Sequence, residues 1–122
     1  MENIIKKAVR ELKKIKGVLA VYLFGSYVRG KTKPYSDIDL CVVTAEKLPA
    51  KTKNEILSCA SEVLDVSLFE ELPLNIQFRV LKEGKLLFAK NKKMIHNLRF
   101  YTVKYYLDFL PTLNKYVRRT LA

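Results

Sequence analysis

Ile4, Ile5, Ala8, Val9, Leu12 and Ile15 recur at helical spacing with lysines and arginines between them, which predicts an amphipathic helix over residues 3–16. Gly17 follows and ends it. The next run, VLAVYLF at 18–24, is apolar throughout and predicts a short, buried central strand. Residues 26–29 read as a short helix after a turn, and 30–35 as a loop that Pro34 keeps from being helical. A second strand is predicted over 36–44, a loop over 47–50, a helix over 51–61 and a third strand over 63–69. Residues 73–83 fit either a helix or a strand. The four-residue recurrence of Leu72, Ile76 and Val80, with Pro73 suited to a first helical turn, favours a helix capped by Gly84. A brief strand at 86–89 comes next. The pattern over 93–107 is helical, and Pro111 either breaks that helix or starts another ending near Leu121. No internal repeat or low-complexity segment interrupts the chain.

Alternation within the strands gives the first chemical signal. Asp37 and Asp39 lie one residue apart in the second strand, so they share a face while Ile38 and Leu40 take the other. Two neighbouring carboxylates in an otherwise apolar strand need compensation, and a divalent cation is the simplest form of it. Mg²⁺ suits such a pair, because it keeps several waters and completes its shell with phosphate oxygens. Upstream, Gly25 and Ser26 close the first strand with a tight turn and a hydroxyl, and exposed backbone N–H groups there can cradle phosphate. Asp65 shares a face of the third strand with Val63 and Ser67. A lone aspartate in a strand is disfavoured, so Asp65 is either a surface residue of an edge strand or a third carboxylate of the site. Glu62, Glu70 and Glu71 are rivals at the strand ends, more easily explained as exposed.

At 122 residues the chain is read as one domain with no room for a second, substrate-holding one, so a large acceptor has to meet a surface or a partner. No apolar run reaches the length of a membrane span, and the N-terminal pattern is not that of a signal peptide; the expectation is a cytoplasmic protein. Cys41 and Cys59 form no C-x-x-C motif and are expected to be buried, reduced thiols. His96 is the one histidine, which excludes any mechanism needing two. The net charge of +11 attracts polyanions, whether nucleic acid, nucleotides or an acidic protein. The lysines are scattered as on solvated faces, with a cluster only at 90–93, and no nucleic-acid-reading module is present, so protein binding is favoured over nucleic acid. The last segment interleaves Tyr101, Tyr105, Tyr106 and Tyr116 with Phe100, Phe109, Arg99, Arg118 and Arg119, a composition enriched where proteins meet. For Leu98, Tyr105 and Phe109, packing against the chain's own sheet weighs equally.

Gly25-Ser26, ten intervening residues and Asp37-Ile38-Asp39 make the pattern G-S-x10-D-x-D, and here the chain resembles the nucleotidyltransferase superfamily related to DNA polymerase β. With Arg29-Gly30, the strand around Asp65, Glu83-Gly84 and the tail YYLDFLPTLNKY, it is similar to the minimal nucleotidyltransferases that pair with HEPN-domain proteins as antitoxin and toxin. The resemblance spans essentially the whole length. It implies an α/β (α+β) nucleotidyltransferase fold: a small mixed sheet of about four strands, helices packed around it, and a helical tail from about residue 90 as the candidate partner-binding segment. It also implies transfer of AMP from ATP to a hydroxyl, here a tyrosine of a HEPN ribonuclease, in a hetero-oligomer with that toxin. Asp37, Asp39 and Asp65 would then be the catalytic and metal-binding residues for two Mg²⁺ ions. Gly25, Ser26 and Arg29 would bind the nucleotide's phosphates. One departure stands out: many members carry Gly-Ser-Arg-x-Arg-Gly, and here the first arginine is replaced by Tyr27. That replacement motivates an alternative in which the toxin is neutralised by binding alone. A third reading is a nucleotidyltransferase acting on a small molecule such as an aminoglycoside.

Overall fold

The structure, a computed structural model, describes residues 2–25 and 38–121. In chain order these form α1 (Glu2–Lys14), β1 (Val18–Phe24), β2 (Ile38–Thr44), α2 (Ala50–Leu57), β3 (Leu64–Leu68), a 3-10 turn (Phe69–Glu71), α3 (Leu74–Glu83), β4 (Lys85–Ala89) and α4 (Lys92–Leu121). The sheet order is β3-β2-β1-β4. β1 runs antiparallel to both β2 and β4, whereas β2 and β3 are parallel and joined through α2, so the sheet is mixed.

Both faces of the sheet are covered, which is why β1 and β2 read as unbroken apolar runs. On one face Ile5, Ala8 and Leu12 of α1 and Ile56 of α2 pack on Val21, Leu23, Leu40, Val42 and Val66. On the other, Val80 and Leu81 of α3 and Ile95 of α4 pack on Ala20, Tyr22, Cys41 and Val43. Helices α3 and α4 are locked together by Phe78 stacked on Tyr106, with ring centroids 4.2 Å apart, and by Arg99, whose Nη2 donates to the Leu81 carbonyl at 3.1 Å. Asn91 caps α4, its Oδ1 accepting from the backbone N–H of Lys93 at 2.9 Å. Gly17 leaves α1 with a φ of +101°, as a helix-ending glycine does.

The segment over 73–83 is the favoured helix, with Pro73 at its N-cap and Gly84 at its C-cap. Other expectations change. The helix expected over 51–61 is shorter and ends at Leu57. α4 does not break at Pro111 but runs through it. Proline removes one backbone donor, so the Leu107 carbonyl loses its usual partner, a loss eased because this part of the helix is exposed to water. Cys41 is buried as expected, but Cys59 is only half-buried because α2 stops short of it. The short helix and loop expected over 26–35 lie outside the described residues. Among the described residues no helix is long and apolar enough to cross a membrane.

Two outcomes test this packing. Leu12 is fully buried beneath α1, so Leu12→Ala should cost about 3 kcal/mol in a denaturant titration. Burial pushes the Cys41 thiol up to about 12, and burial with Glu11 and Glu55 nearby also raises the Cys59 thiol, so iodoacetamide at alkaline pH should modify half-buried Cys59 slowly in the native protein and reach Cys41 only after unfolding, as read by peptide mass spectrometry.

Candidate active site

Strand register brings the carboxylates together. Phe24 of β1 pairs with Asp39 of β2, and Asp39 in turn pairs with Asp65 of β3. Directly paired residues of neighbouring strands share a face, with backbones about 4.8 Å apart. Asp39 and Asp65 therefore stand side by side on the face that carries Tyr22, Cys41 and Ser67. Helices α3 and α4 cover the middle of that face and leave its end open: Asp65 is exposed and Asp39 half-buried, while Cys41, two residues further on, is buried.

Gly25 forms the third side. Its φ is +93°, a left-handed conformation that L side chains rarely adopt. A Cβ built there would run into Oδ2 of Asp39, so the Asp39 carboxylate lies directly against the glycine backbone. Glycine thus has a role that the sequence pattern did not disclose: beyond shaping the turn, its missing side chain makes room for the carboxylate. Only the register between β1 and β2 exposes this, and no local signal in the sequence carries it.

Burial keeps the neighbouring Cys41 thiol and Tyr22 phenol protonated. Burial raises the Cys41 thiol to about 12, so it adds no negative charge beside Asp39. Burial likewise raises the Tyr22 phenol, with the Arg99 guanidinium pulling the other way and Cys41 reinforcing the rise. The rivals Glu62, Glu70 and Glu71 are all exposed, and Glu71 lies 3.7 Å from Lys53. Among the described residues no three acidic, histidine or cysteine side chains cluster as a metal site, and the carboxylates brought together are Asp39 and Asp65. Asp37, Ser26 and Arg29 lie outside the described residues. Two hard oxygen ligands on adjacent strands, open to solvent and to a glycine turn, fit Mg²⁺ with its retained waters better than a soft or closed metal site.

Known proteins place this arrangement in a family. A Methanocaldococcus jannaschii protein carrying the name of a protein adenylyltransferase is 36% identical over 72 residues, a match covering 59% of this chain and 57% of that one. Among solved structures, a toxin-antitoxin complex with AMP-PNP superposes with a TM-score of 0.78 at 24% identity, covering 99% of this chain and 98% of the other. A complex of tri-AMPylated Shewanella oneidensis HEPN toxin with MNT antitoxin gives a TM-score of 0.72 at 23% identity, covering 99% and 96%. At these identities the two structures speak for the fold. The family model described as "Polymerase beta, Nucleotidyltransferase" matches residues 5–93, a stretch that holds Gly25, Asp37, Asp39 and Asp65, and the chain belongs to that nucleotidyltransferase family.

Proposed function

We propose that this chain is a Mg²⁺-dependent protein adenylyltransferase that moves AMP from ATP onto a tyrosine hydroxyl of a HEPN ribonuclease and so acts as its antitoxin. The observation that carries the reading is Asp65 paired beside Asp39, whose carboxylate lies against the Gly25 backbone. Family membership supplies the reaction class, and the likeness to toxin-antitoxin complexes supports the kind of partner.

In this reading Asp39, with Asp37 two residues before it, would hold the triphosphate and its metal, and Gly25, Ser26 and Arg29 would grip the terminal phosphates. Mg²⁺, when bound, would neutralise phosphate charge and make the incoming hydroxyl more acidic. Asp65 stands at the open side and takes the proton as the acceptor oxygen bonds to the α-phosphorus. The bond from that phosphorus to the β-phosphate oxygen breaks, and pyrophosphate leaves. A second reading, inhibition by binding alone, is favoured by Tyr27 standing where many members have arginine, since tyrosine lacks the guanidinium fork that grips phosphate.

The test mixes the pure protein with its HEPN partner, ATP and Mg²⁺ and follows the mass of the partner. The expected result is a gain of adenylyl groups, slowed at least about a hundredfold by Asp39→Asn and by Asp65→Asn, with both variants still folded. If the partner gains no mass, or if the Asp39 variant protects cells from the toxin as well as the native protein does, inhibition is by binding. Gly25→Ala should lose stability by about 1–2 kcal/mol through its backbone conformation and lose transfer activity through displacement of Asp39. Undiminished transfer by that variant would show that the carboxylate does not depend on the glycine.

A further inference from the structure

α4 is 30 residues long, about 45 Å at the rise of an α-helix, and it carries two seams. The inner seam, with Ile95 and Thr102 buried, packs on α3 and the sheet. The outer seam is formed by His96, Phe100, Val103, Leu107, Leu110 and Asn114, spaced alternately by four and three residues. This is the repeat by which one helix packs its side chains into the gaps of another. A helix face meant only for water carries polar residues there, yet Phe100 is 60% and Leu107 55% exposed. Together with Arg99, Val103, Lys104 and Asp108 they line an open groove of about 580 Å³.

The flanks of the seam decide what can fill it. Arg99 lies on one side, Lys104 and Arg118 on the other, and across α4 seven lysines and arginines stand against a single acid, Asp108. In a parallel pair of two copies, Arg99 of each helix would face Lys104 of the other, and in an antiparallel pair flanks of one kind again meet each other. Self-pairing is therefore opposed by like charge, whereas a helix flanked by Glu or Asp is matched at Arg99, Lys104 and Arg118, with Asp108 the one acid on the groove's rim. Arg99 spends one donor on the Leu81 carbonyl, and as a residue it is exposed and lines the groove. Asn114 adds a polar position of the kind that fixes register between paired helices.

We infer that the outer seam of α4 is a docking surface for an amphipathic helix of the partner protein, with an apolar stripe for Phe100, Val103 and Leu107 and acidic flanks for Arg99, Lys104 and Arg118. The identification of that partner with the acceptor protein rests on the function proposed above; the chemistry of the surface does not. The probe is a synthetic helical peptide about three heptads long, with Leu on its stripe and Glu on its flanks, and a control peptide with Lys flanks. Binding to the full-length chain is read by fluorescence anisotropy. The native protein should prefer the Glu-flanked peptide at least about tenfold. Phe100→Ala with Leu107→Ala should weaken it about 30-fold without lowering thermal stability, and Lys104→Glu with Arg118→Glu should reverse the preference.

Equal binding of the two peptides, binding undiminished in the alanine variant as unspecific attraction of a polyanion such as RNA would give, or no binding at all overturns the inference. So does a dimer of the native chain by light scattering that Leu107→Glu abolishes, since the seam would then belong to a second copy. The HEPN protein provides the separate arm. If it is captured equally by native and alanine variants, the seam is overturned and the proposed function stands. If it is neither captured nor adenylylated while the Glu-flanked peptide binds, the proposed function is overturned and the seam stands.

Discussion

The antiparallel pairing of β1 with β2 is the interaction on which the rest of this structure depends. It places Phe24 opposite Asp39 and brings the Gly25 backbone against the Asp39 carboxylate. It also makes these two strands the centre of a sheet buried on both faces. Charge is then excluded from every position except the strand ends. A carboxylate in the middle of β2 would lose its hydration without recompense, so the chemistry is confined to the end of the face that α3 and α4 leave uncovered.

From that constraint follows the division of labour among the helices. α1 and α2 seal one face and contribute only core. α3 and α4 seal the other and stop short of Asp39 and Asp65. α4 then continues well past the residues that pack on the sheet, which separates the docking surface inferred for its outer seam from the open end that holds Asp39 and Asp65. A domain of this size can host both because neither intrudes on the core.

Much of this was legible in the residues themselves. The period-3.6 pattern of α1 and the unbroken apolar runs of β1 and β2 are dictated by burial, and burial is written directly into residue type. The aspartates of β2 and β3 were conspicuous for the same reason, as charges where apolar residues belong. What stayed hidden was relational. The register that sets Asp65 beside Asp39 depends on how α2 carries the chain from β2 to β3, and no local sequence feature encodes it. The continuity of α4 through Pro111 was undecided because proline's cost depends on whether the orphaned carbonyl reaches water, which is a property of the packed molecule. Cys59 was expected in the core because cysteine usually lies there, and the early end of α2 leaves it at the edge.

Cys41 has a consequence for the chemistry of that open end. It lies two residues from Asp39 on the same face of β2, packed under α3 and α4, and burial pushes its thiol up to about 12. A sulfur kept protonated and covered takes no part in what happens at the strand ends and is slow to oxidise. The same helices that complete the core thus leave two carboxylates, which are hard oxygen donors, as what the described end of this face offers to solvent.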